Sequence, residues 1–407
     1  MQLSSPPLSD AAASDLRHSC PEAGQAIAKL RRRNVVQLGK HFPPQYFGGI
    51  EVMTELSARA LAGEYNVTVI CHNTGIHRVE DTCDGYRVIR CGTQLNSFSQ
   101  PISLLMGLEL RKARPDLIHY HAPNLWGALM IVLFAWGVPL IITHHADIER
   151  RGLLKKLTLP LYHLLLGRTS CVLVNSLKNA ETSVDLHGNP SRVAAVPHGV
   201  DERRFILDRQ DLSEAGRQKQ ARFGGRIVIG FIGRLVWYKG LSELLRALSR
   251  LPGSSLLLIG DGPLRDTLEE EARQLEMPDR VHFVGAVSHA EKVRYLHMMD
   301  IFVLPSTHIT EAFGISQIEA QICSLPLVST SLPTGVSDIN VDGVTGLVVP
   351  PGDVEALATA LETLGDNKAL RESYGARGRA RALELFSERN YISKLRAEVA
   401  QVLVATR

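Results

Sequence analysis

Residues 227–240 read Ile-Val-Ile-Gly-Phe-Ile-Gly-Arg-Leu-Val-Trp-Tyr-Lys-Gly, and this stretch decides the fold class. Its first part, Ile227–Ile232, is a short apolar run of the kind that forms a strand covered on both faces. A glycine-containing turn with two cations, Arg234 and Lys239, follows and opens into a helical pattern. A buried strand that leads through such a turn into a helix is the repeating unit of a doubly wound parallel sheet.

The same alternation of short apolar runs and helical patterns extends in both directions from this stretch. The predicted strands are 35–39, 67–70, 117–120, 140–142, 171–174, 193–196, 227–232, 255–259, 281–284, 301–304 and 327–328. The pattern starts afresh near Gly225, and the polar stretch 201–223 is interpreted as the linker. The sequence therefore predicts an α/β protein with two doubly wound, Rossmann-like domains that face each other across a crevice.

The predicted domain boundaries follow from these changes in pattern. Residues 1–33 are interpreted as a flexible extension, 34–200 as the first domain and 201–386 as the second. A last amphipathic helix is predicted within 387–407, and we expect it to pack back on the first domain.

Composition excludes several classes of protein. Of the 407 residues, 45% are hydrophobic and 21% are charged, which is typical of a globular chain of about two domains and not of a disordered, fibrous or polytopic membrane protein. A net charge of +3 and 6% aromatic residues give little support to nucleic-acid binding. The six cysteines form no CxxC pair, and residues 1–30 lack an apolar signal segment. These observations predict a cytoplasmic location with free thiols.

Two loops at predicted strand ends carry groups suited to an anion, and ligands of doubly wound sheets bind at the carboxyl ends of the strands. Gly48 and Gly49 precede a helix, so backbone N–H groups there can approach a phosphate. Arg234 offers a fork of donors and Lys239 a point charge, a pair that suits a diphosphate. The plain alternatives are an ordinary turn for the glycines and a solvated basic turn for the cations.

A third loop follows the predicted strand that ends at Leu304. It carries Glu311, and a helix predicted to begin near residues 313–314 places Glu319 in its second turn. The free N–H groups at such a helix start favour phosphate, and the two glutamates could bind sugar hydroxyls. The alternative is that Glu311 only favours the helix N-terminus and that Glu319 is solvated.

These segments together resemble a known family. The spacing of Glu311 and Glu319 is similar to the E-x7-E motif of retaining glycosyltransferases with the GT-B fold. The resemblance to glycosyltransferase family 4 extends from Asn34 to the C-terminus, with the blocks in the family's order. The other segments that carry it are 40–44 (KHFPP), 48–51 (GGIE), 233–240 (GRLVWYKG), 260–263 (GDGP) and 281–285 (VHFVG).

The resemblance implies roles for individual residues. The implied catalytic residues are His121, Glu311, Lys239 and Arg234. The implied donor-binding residues are Gly48, Gly49, Arg234, Lys239, Phe283, Val284, Gly285, Glu311, Phe313, Gly314, Ile315 and Glu319. In such enzymes Arg234 and Lys239 would hold the donor diphosphate and Glu311 would contact the transferred sugar. Glu319 would bind the donor ribose, and 283–285 would lie near the base.

The resemblance also assigns the two domains and their substrates. The second domain would bind the nucleotide sugar and the first would bind the acceptor, with His144, His145 and Asp147 on the acceptor side. The segments KHFPP, THHADI and GRLVWYKG look most like bacterial mannosyltransferases for lipid-linked polysaccharide. GDP-mannose is therefore the first expected donor and a UDP-sugar the second. No D-x-D triplet is present, so we expect no metal and no other cofactor.

The stretch 149–168 mixes four cations, Arg150, Arg151, Lys155 and Lys156, with many leucines. An interfacial helix at the inner face of the cytoplasmic membrane fits this composition, and an ordinary buried helix with a charged first turn is the alternative. A lipid-linked acceptor favours the first interpretation.

Three other functions remain open at this stage. A nucleotide-sugar epimerase of the same architecture would need no acceptor. A Rossmann dehydrogenase would need G-x-G-x-x-G after a first strand, which neither half contains. A non-catalytic sugar-binding module would not need the intact diphosphate loop that Arg234 and Lys239 provide.

Overall fold

The computed structural model describes residues 32–46, 48–97, 100–148, 153–187 and 192–405. Apart from Arg32 and Arg33, the predicted extension 1–33 lies outside these residues, as do Arg150 and Arg151 of the predicted interfacial helix. The strands are β1 (Asn34–Leu38), β2 (Asn66–His72), β3 (Val79–Cys83), β4 (Tyr86–Cys91), β5 (Leu95–Ser97), β6 (Gln100–Ile102), β7 (Leu117–Ala122), β8 (Leu140–His144), β9 (Cys171–Val174), β10 (Val193–Ala195), β11 (Ile227–Ile232), β12 (Ser254–Ile259), β13 (Val281–Gly285), β14 (Ile301–Leu304), β15 (Leu327–Thr330) and β16 (Gly346–Val349).

The helices alternate with these strands. They are α1 (Gly49–Ala62), α2 (Leu105–Lys112), α3 (Leu125–Phe134), α4 (Leu153–Leu166), α5 (Leu177–Thr182), α6 (Arg209–Phe223), α7 (Leu241–Ser249), α8 (Arg265–Gln274), α9 (His289–Met298), α10 (Ile315–Ile322), α11 (Val336–Ile339), α12 (Val354–Asp366), α13 (Lys368–Leu385) and α14 (Glu388–Ala405). Short 3₁₀ helices occupy Glu202–Phe205 and Trp237–Lys239.

The first domain is built on a sheet in the order β10-β9-β8-β7-β1-β2-β4-β3, in which β3 alone is antiparallel to its neighbour. Its central strands are buried along their length, as a sheet with helices on both faces requires. Helices α1 and α14 pack on one face, and α2, α3 and α4 pack on the other. The carboxyl ends of β1, β7 and β8 therefore open on the same edge.

The second domain has a sheet in the order β13-β12-β11-β14-β15-β16, and all of its strands are parallel. Helices on both faces join it in one continuous core that includes Phe231, Leu244 and Phe302. Strand order reverses between β11 and β14, and ligands of such sheets bind at this switch point. The prediction of two doubly wound domains is confirmed.

The C-terminal helix belongs to the core of the first domain. The chain crosses from the second domain where the backbone N–H of Val200 donates to the carbonyl of Phe386, at 2.9 Å. Beyond this crossing, Tyr391, Leu395 and Val399 of α14 share a buried cluster with α1.

One local prediction was wrong, and one element was missed. The stretch 201–223 is not a linker, because α6 covers most of it and buries Phe223 in the second domain's core behind a polar outer face. The hairpin of β3 and β4 was missed, although Asp84 and Gly85 both have positive φ, at 44° and 82°. An Asp-Gly pair between strand-like runs is a hairpin signal.

Candidate active site

Two loops of the second domain are held against each other at the switch point. Gly240 has φ of 66°, and a Cβ at this residue would overlap the carbonyl of Pro305. The backbone N–H of Thr307 donates to the carbonyl of Tyr238 at 2.8 Å. The loop after β11 and the loop after β14 therefore form one rigid surface, which only glycine at residue 240 permits.

Lys239 and Glu311 meet on this surface as an ion pair. Their side chains are only 11% and 9% exposed, and Ser306 Oγ donates a further hydrogen bond to Glu311 at 2.9 Å. Charges this deep are tolerated because each neutralises the other, and Lys239 and Ser306 both donate to Glu311 Oε2. The cation predicted to hold a diphosphate is thus already paired with the carboxylate predicted to contact the sugar.

The other predicted donor-binding cation and carboxylate lie apart from this pair. Arg234 is exposed, and no hydrogen bond or ion pair joins its side chain to any other described residue. Glu319, in the second turn of α10, accepts from Lys292 Nζ at 2.5 Å. Sequence reasoning missed Lys292, because nothing in the single chain indicates that α9 packs beside α10.

The remaining donor-side predictions lie at the ends of β13 and α10. Phe283 and Val284 are partly buried, and Gly285 has φ of 84° and its carbonyl accepts from the Gly260 N–H at 2.9 Å. Gly314, with φ of 79°, precedes Ile315, the first residue of α10. The buried ring of Phe313 lies just before this helix start.

The glycines of the first domain lie at the start of α1. Gly48 is the residue that precedes the helix and Gly49 is its first residue, and no side chain caps the helix there. A Cβ at Gly48 would meet Glu51 Oε2 at 2.5 Å, whereas one at Gly49 would meet nothing within 4 Å. The helix N-terminus therefore keeps free N–H groups, which is the arrangement predicted for phosphate.

His121 is enclosed within the first domain. Its Nε2 lies 2.8 Å from Gln37 Oε1, and its Nδ1 lies 3.1 Å from His145 Nε2. Because Gln37 Oε1 can only accept, His121 carries its proton on Nε2 and accepts from His145 at Nδ1. Both ring nitrogens are therefore occupied by protein groups, and the side chain is 1% exposed.

Four buried imidazoles form a chain of ring contacts, which we name the histidine ladder: His119, His121, His145 and His198. Successive ring centroids are 4.4, 5.4 and 5.9 Å apart, and the last ring lies 5.3 Å from Phe313 of the second domain. Burial lowers the pKa of His119 and of His198 to about 3. Burial, together with neighbouring histidines, also lowers the pKa of His121 and His145. The ladder is therefore neutral at physiological pH.

The three predicted acceptor-side residues separate into two groups. His145 belongs to the ladder, whereas His144 Nε2 lies 3.0 Å from Asp147 Oδ1 and its Nδ1 lies 2.8 Å from the Tyr162 hydroxyl. Burial raises the pKa of Asp147, but hydrogen bonds with His144 and Ser183 outweigh it and leave the pKa lowered. Asp147 is therefore an ionised carboxylate with structural partners.

A cavity of about 440 Å³ opens beside this group, at the carboxyl ends of β1, β7 and β8. Apolar surface predominates in its wall, with Ile50, Leu125 and Ile148. Its charged groups are one cation, Lys40, and two carboxylates, Glu51 and Asp147. A cavity of this size and composition fits a small polar ring more readily than a dianion. Across the described parts of the chain, no three His, Cys, Asp or Glu side chains are grouped as a metal site would require.

Two Rossmann-like domains, with Lys239 paired to Glu311 at the switch point of the second, are the architecture of the GT-B fold. The family described as "Glycosyltransferase Family 4" matches residues 47–204, and the family "Glycosyl transferases group 1" matches residues 213–381. The chain belongs to these glycosyltransferases.

Individual relatives agree with this assignment. The chain is 30% identical over 358 residues to the D-rhamnosyltransferase WbpZ of Pseudomonas aeruginosa, covering 87% of this chain and 92% of that protein. It is also 30% identical over 362 residues to the O-antigen chain mannosyltransferase C of Escherichia coli, covering 87% and 94%. Among solved structures, sucrose-phosphate synthase of Thermosynechococcus elongatus superposes with a TM-score of 0.76 at 21% identity, over 92% of this chain and 100% of that one.

Proposed function

We propose that this glycosyltransferase of polysaccharide biosynthesis transfers a manno-configured sugar from a GDP donor, GDP-mannose first, with retention at the anomeric carbon. The single observation that carries the proposal is the buried Lys239–Glu311 pair at the switch point of the second domain. It gives one surface a cation for the departing diphosphate and a carboxylate for the sugar.

The relatives support the configuration of the sugar. One transfers mannose and the other D-rhamnose, which is 6-deoxy-D-mannose. The two sugars share every ring stereocentre and differ only in the hydroxyl at carbon 6. The donor pocket therefore needs to read the axial 2-hydroxyl, and the 6-position decides between the two donors.

Each side of the crevice has a proposed part in the reaction. Breaking the bond to the anomeric carbon builds positive charge on the sugar and negative charge on the leaving diphosphate. Lys239 and Arg234 stabilise the diphosphate, while Glu311 holds the sugar. The N-terminus of α1, at Gly48 and Gly49, adds free N–H groups from the opposite domain. Glu319 binds the donor ribose and residues 283–285 lie beside the base.

The cavity of the first domain is the proposed acceptor site. Its mixture of apolar surface with Lys40, Asp147 and Tyr162 suits the terminal ring of a glycan. Closing the domains over both substrates would exclude water and favour transfer over hydrolysis.

The proposed lipid-linked acceptor implies contact with the inner face of the cytoplasmic membrane. In the ranges that the structure covers, no helix has the length and apolar character to cross a bilayer. The support for surface contact is therefore the composition of 149–168.

Changing the four cations of 149–168 to Ser should weaken binding to anionic vesicles by about 1 kcal/mol per cation at low salt. Equal binding by wild type and variant would refute the contact.

The donor is tested by thermal stabilisation with matched ligands. GDP-mannose should raise the melting temperature more than UDP-glucose, because a ligand that binds the folded state stabilises it by mass action. A larger rise in melting temperature with UDP-sugars would mean that the donor is a UDP-sugar, and the enzyme class would stay the same. GDP-D-rhamnose in parallel tests the 6-position.

Transfer is followed by NMR of the product's anomeric proton. Retention predicts an α-linked product from the α-linked donor, and a β-linked product would contradict it.

We propose that no metal is needed, so activity should survive excess EDTA. Activity lost with EDTA and restored by Mg²⁺ or Mn²⁺ would refute this.

A further inference from the structure

The loop that carries Glu311 is held by hydrogen bonds from the segment after β15. Thr334 Oγ1 donates to the carbonyl of Glu311 at 2.8 Å, and the Gly335 N–H donates to the carbonyl of Ala312 at 2.9 Å. A Cβ at Gly335 would overlap the ring of Phe313. The 334–335 segment therefore fixes the backbone on both sides of Ala312.

The same Gly335 N–H has a second acceptor, which comes from the other domain. It donates to Asn179 Oδ1 at 2.9 Å, and Asn179 lies on α5 of the first domain. One N–H is thus shared between Ala312 of its own domain and Asn179 across the interface. When the domains separate, the bond to Ala312 can remain and the bond to Asn179 must break.

Charged neighbours align this contact. Lys178 Nζ lies 2.7 Å from Asp338 Oδ1 and donates to Ser337 Oγ at 2.9 Å. Ser176 donates to the same Asp338 carboxylate. The Lys178 and Asp338 side chains are 45% and 34% exposed, so this pair aligns the surfaces and contributes little energy.

We propose that Asn179 is a positioning residue, by which the first domain sets the loop of Glu311 when the domains close. It never touches substrate and acts through Gly335 and Ala312. The contact makes the sugar-binding carboxylate depend on the position of the acceptor domain. The inference rests on the proposed role of Glu311.

Three variants test the inference. Asn179→Ala removes the shared acceptor, so kcat for transfer should fall about tenfold while nucleotide affinity stays within twofold. Asn179→Asp keeps an acceptor oxygen and should restore kcat to within threefold of wild type. Glu181→Gln changes an exposed residue of the same helix and should change neither quantity.

Hydrogen exchange provides a readout that needs no turnover. The amides of Gly335, which loses one of its two acceptors, and of Glu311, which donates to the carbonyl of His308, should exchange faster in Asn179→Ala than in wild type. Asn179→Asp should restore their protection. Unchanged exchange in Asn179→Ala would overturn the inference, as would a normal kcat or a kcat equally low in Asn179→Asp. A wild type that transfers no sugar would refute the proposed function, and exchange would still decide on Asn179.

Discussion

The two domains hold their polar groups in opposite ways. In the second domain, Lys239 and Glu311 are buried as charges that neutralise each other. In the first domain, the histidine ladder is buried uncharged, and burial lowers its pKa values. The second domain, the proposed donor side, therefore keeps buried charges near its switch point, whereas the first domain keeps its buried histidines neutral at physiological pH. This difference predicts distinct responses to substitution and to pH.

The largest expected effect comes from breaking the charged pair on one side. Lys239→Ala leaves Glu311 buried without its cation, so the free energy of unfolding should fall by about 3–5 kcal/mol. Nucleotide affinity and kcat should fall as well, because the diphosphate loses a positive charge. Urea unfolding, nucleotide titration and initial rates measure the three quantities. A stability loss below about 1 kcal/mol would mean that the pair is solvated.

Removing only the charge of the Glu311 carboxylate should distinguish its effect on the sugar from any effect on nucleotide binding. Glu311→Gln keeps the shape and frees Lys239, so nucleotide affinity should hold or rise. The kcat should fall by roughly 10²-fold, which is about 2.7 kcal/mol of transition-state stabilisation. If Glu311 serves only as the buried partner of Lys239, turnover would stay near normal and the free energy of unfolding would fall by about 3–5 kcal/mol.

The histidine ladder should make the first domain sensitive to acid. A histidine whose pKa is lowered in the folded state binds fewer protons there than it does in the unfolded state. Its contribution to the free energy of unfolding is therefore fully present above pH 6.5 and is lost as pH falls toward about 3. For His119 alone, this amounts to about 2 kcal/mol between pH 7.5 and 5.0. His119→Gln should remove that part of the slope in urea unfolding, measured at both pH values.

The control for this measurement is His77→Gln, which changes an exposed ring that meets water in the folded and unfolded states alike. It should leave the slope unchanged. Equal slopes for wild type and His119→Gln would mean that the ladder is hydrated and titrates freely.

Local pattern predicted the fold because its signals are local. The strand 227–232 and its turn, and the glycine before α10, are each specified by a few adjacent residues. The linker prediction failed because α6 has a polar outer face and buries only Ala215 and Phe223 within its span. Composition alone does not distinguish such a helix from an exposed connection.

The sequence predicted which residues belong to the candidate site, but not which other residues they contact. Each of Lys239, Glu311 and His121 follows from a motif on its own strand end. Their partners depend on how the strands are ordered in the sheets. Lys239 neutralises Glu311, which lies 72 residues away. Gln37 and His145 enclose His121. A single chain's periodicity does not contain that order.

The return of α14 to the first domain has a consequence for the protein's synthesis. Arg396 Nε donates to the carbonyl of Ala60 at 2.8 Å, across 336 residues of chain. At about 5–20 residues per second, α1 therefore waits roughly 20–70 s after translation for the helix that covers it. During that interval the apolar face around Met53 and Leu61, which α14 later covers, is open to chaperones or to other nascent chains. The core of the second domain contains no residue of α14, so the domain that comes first in the sequence is the one whose core is completed last.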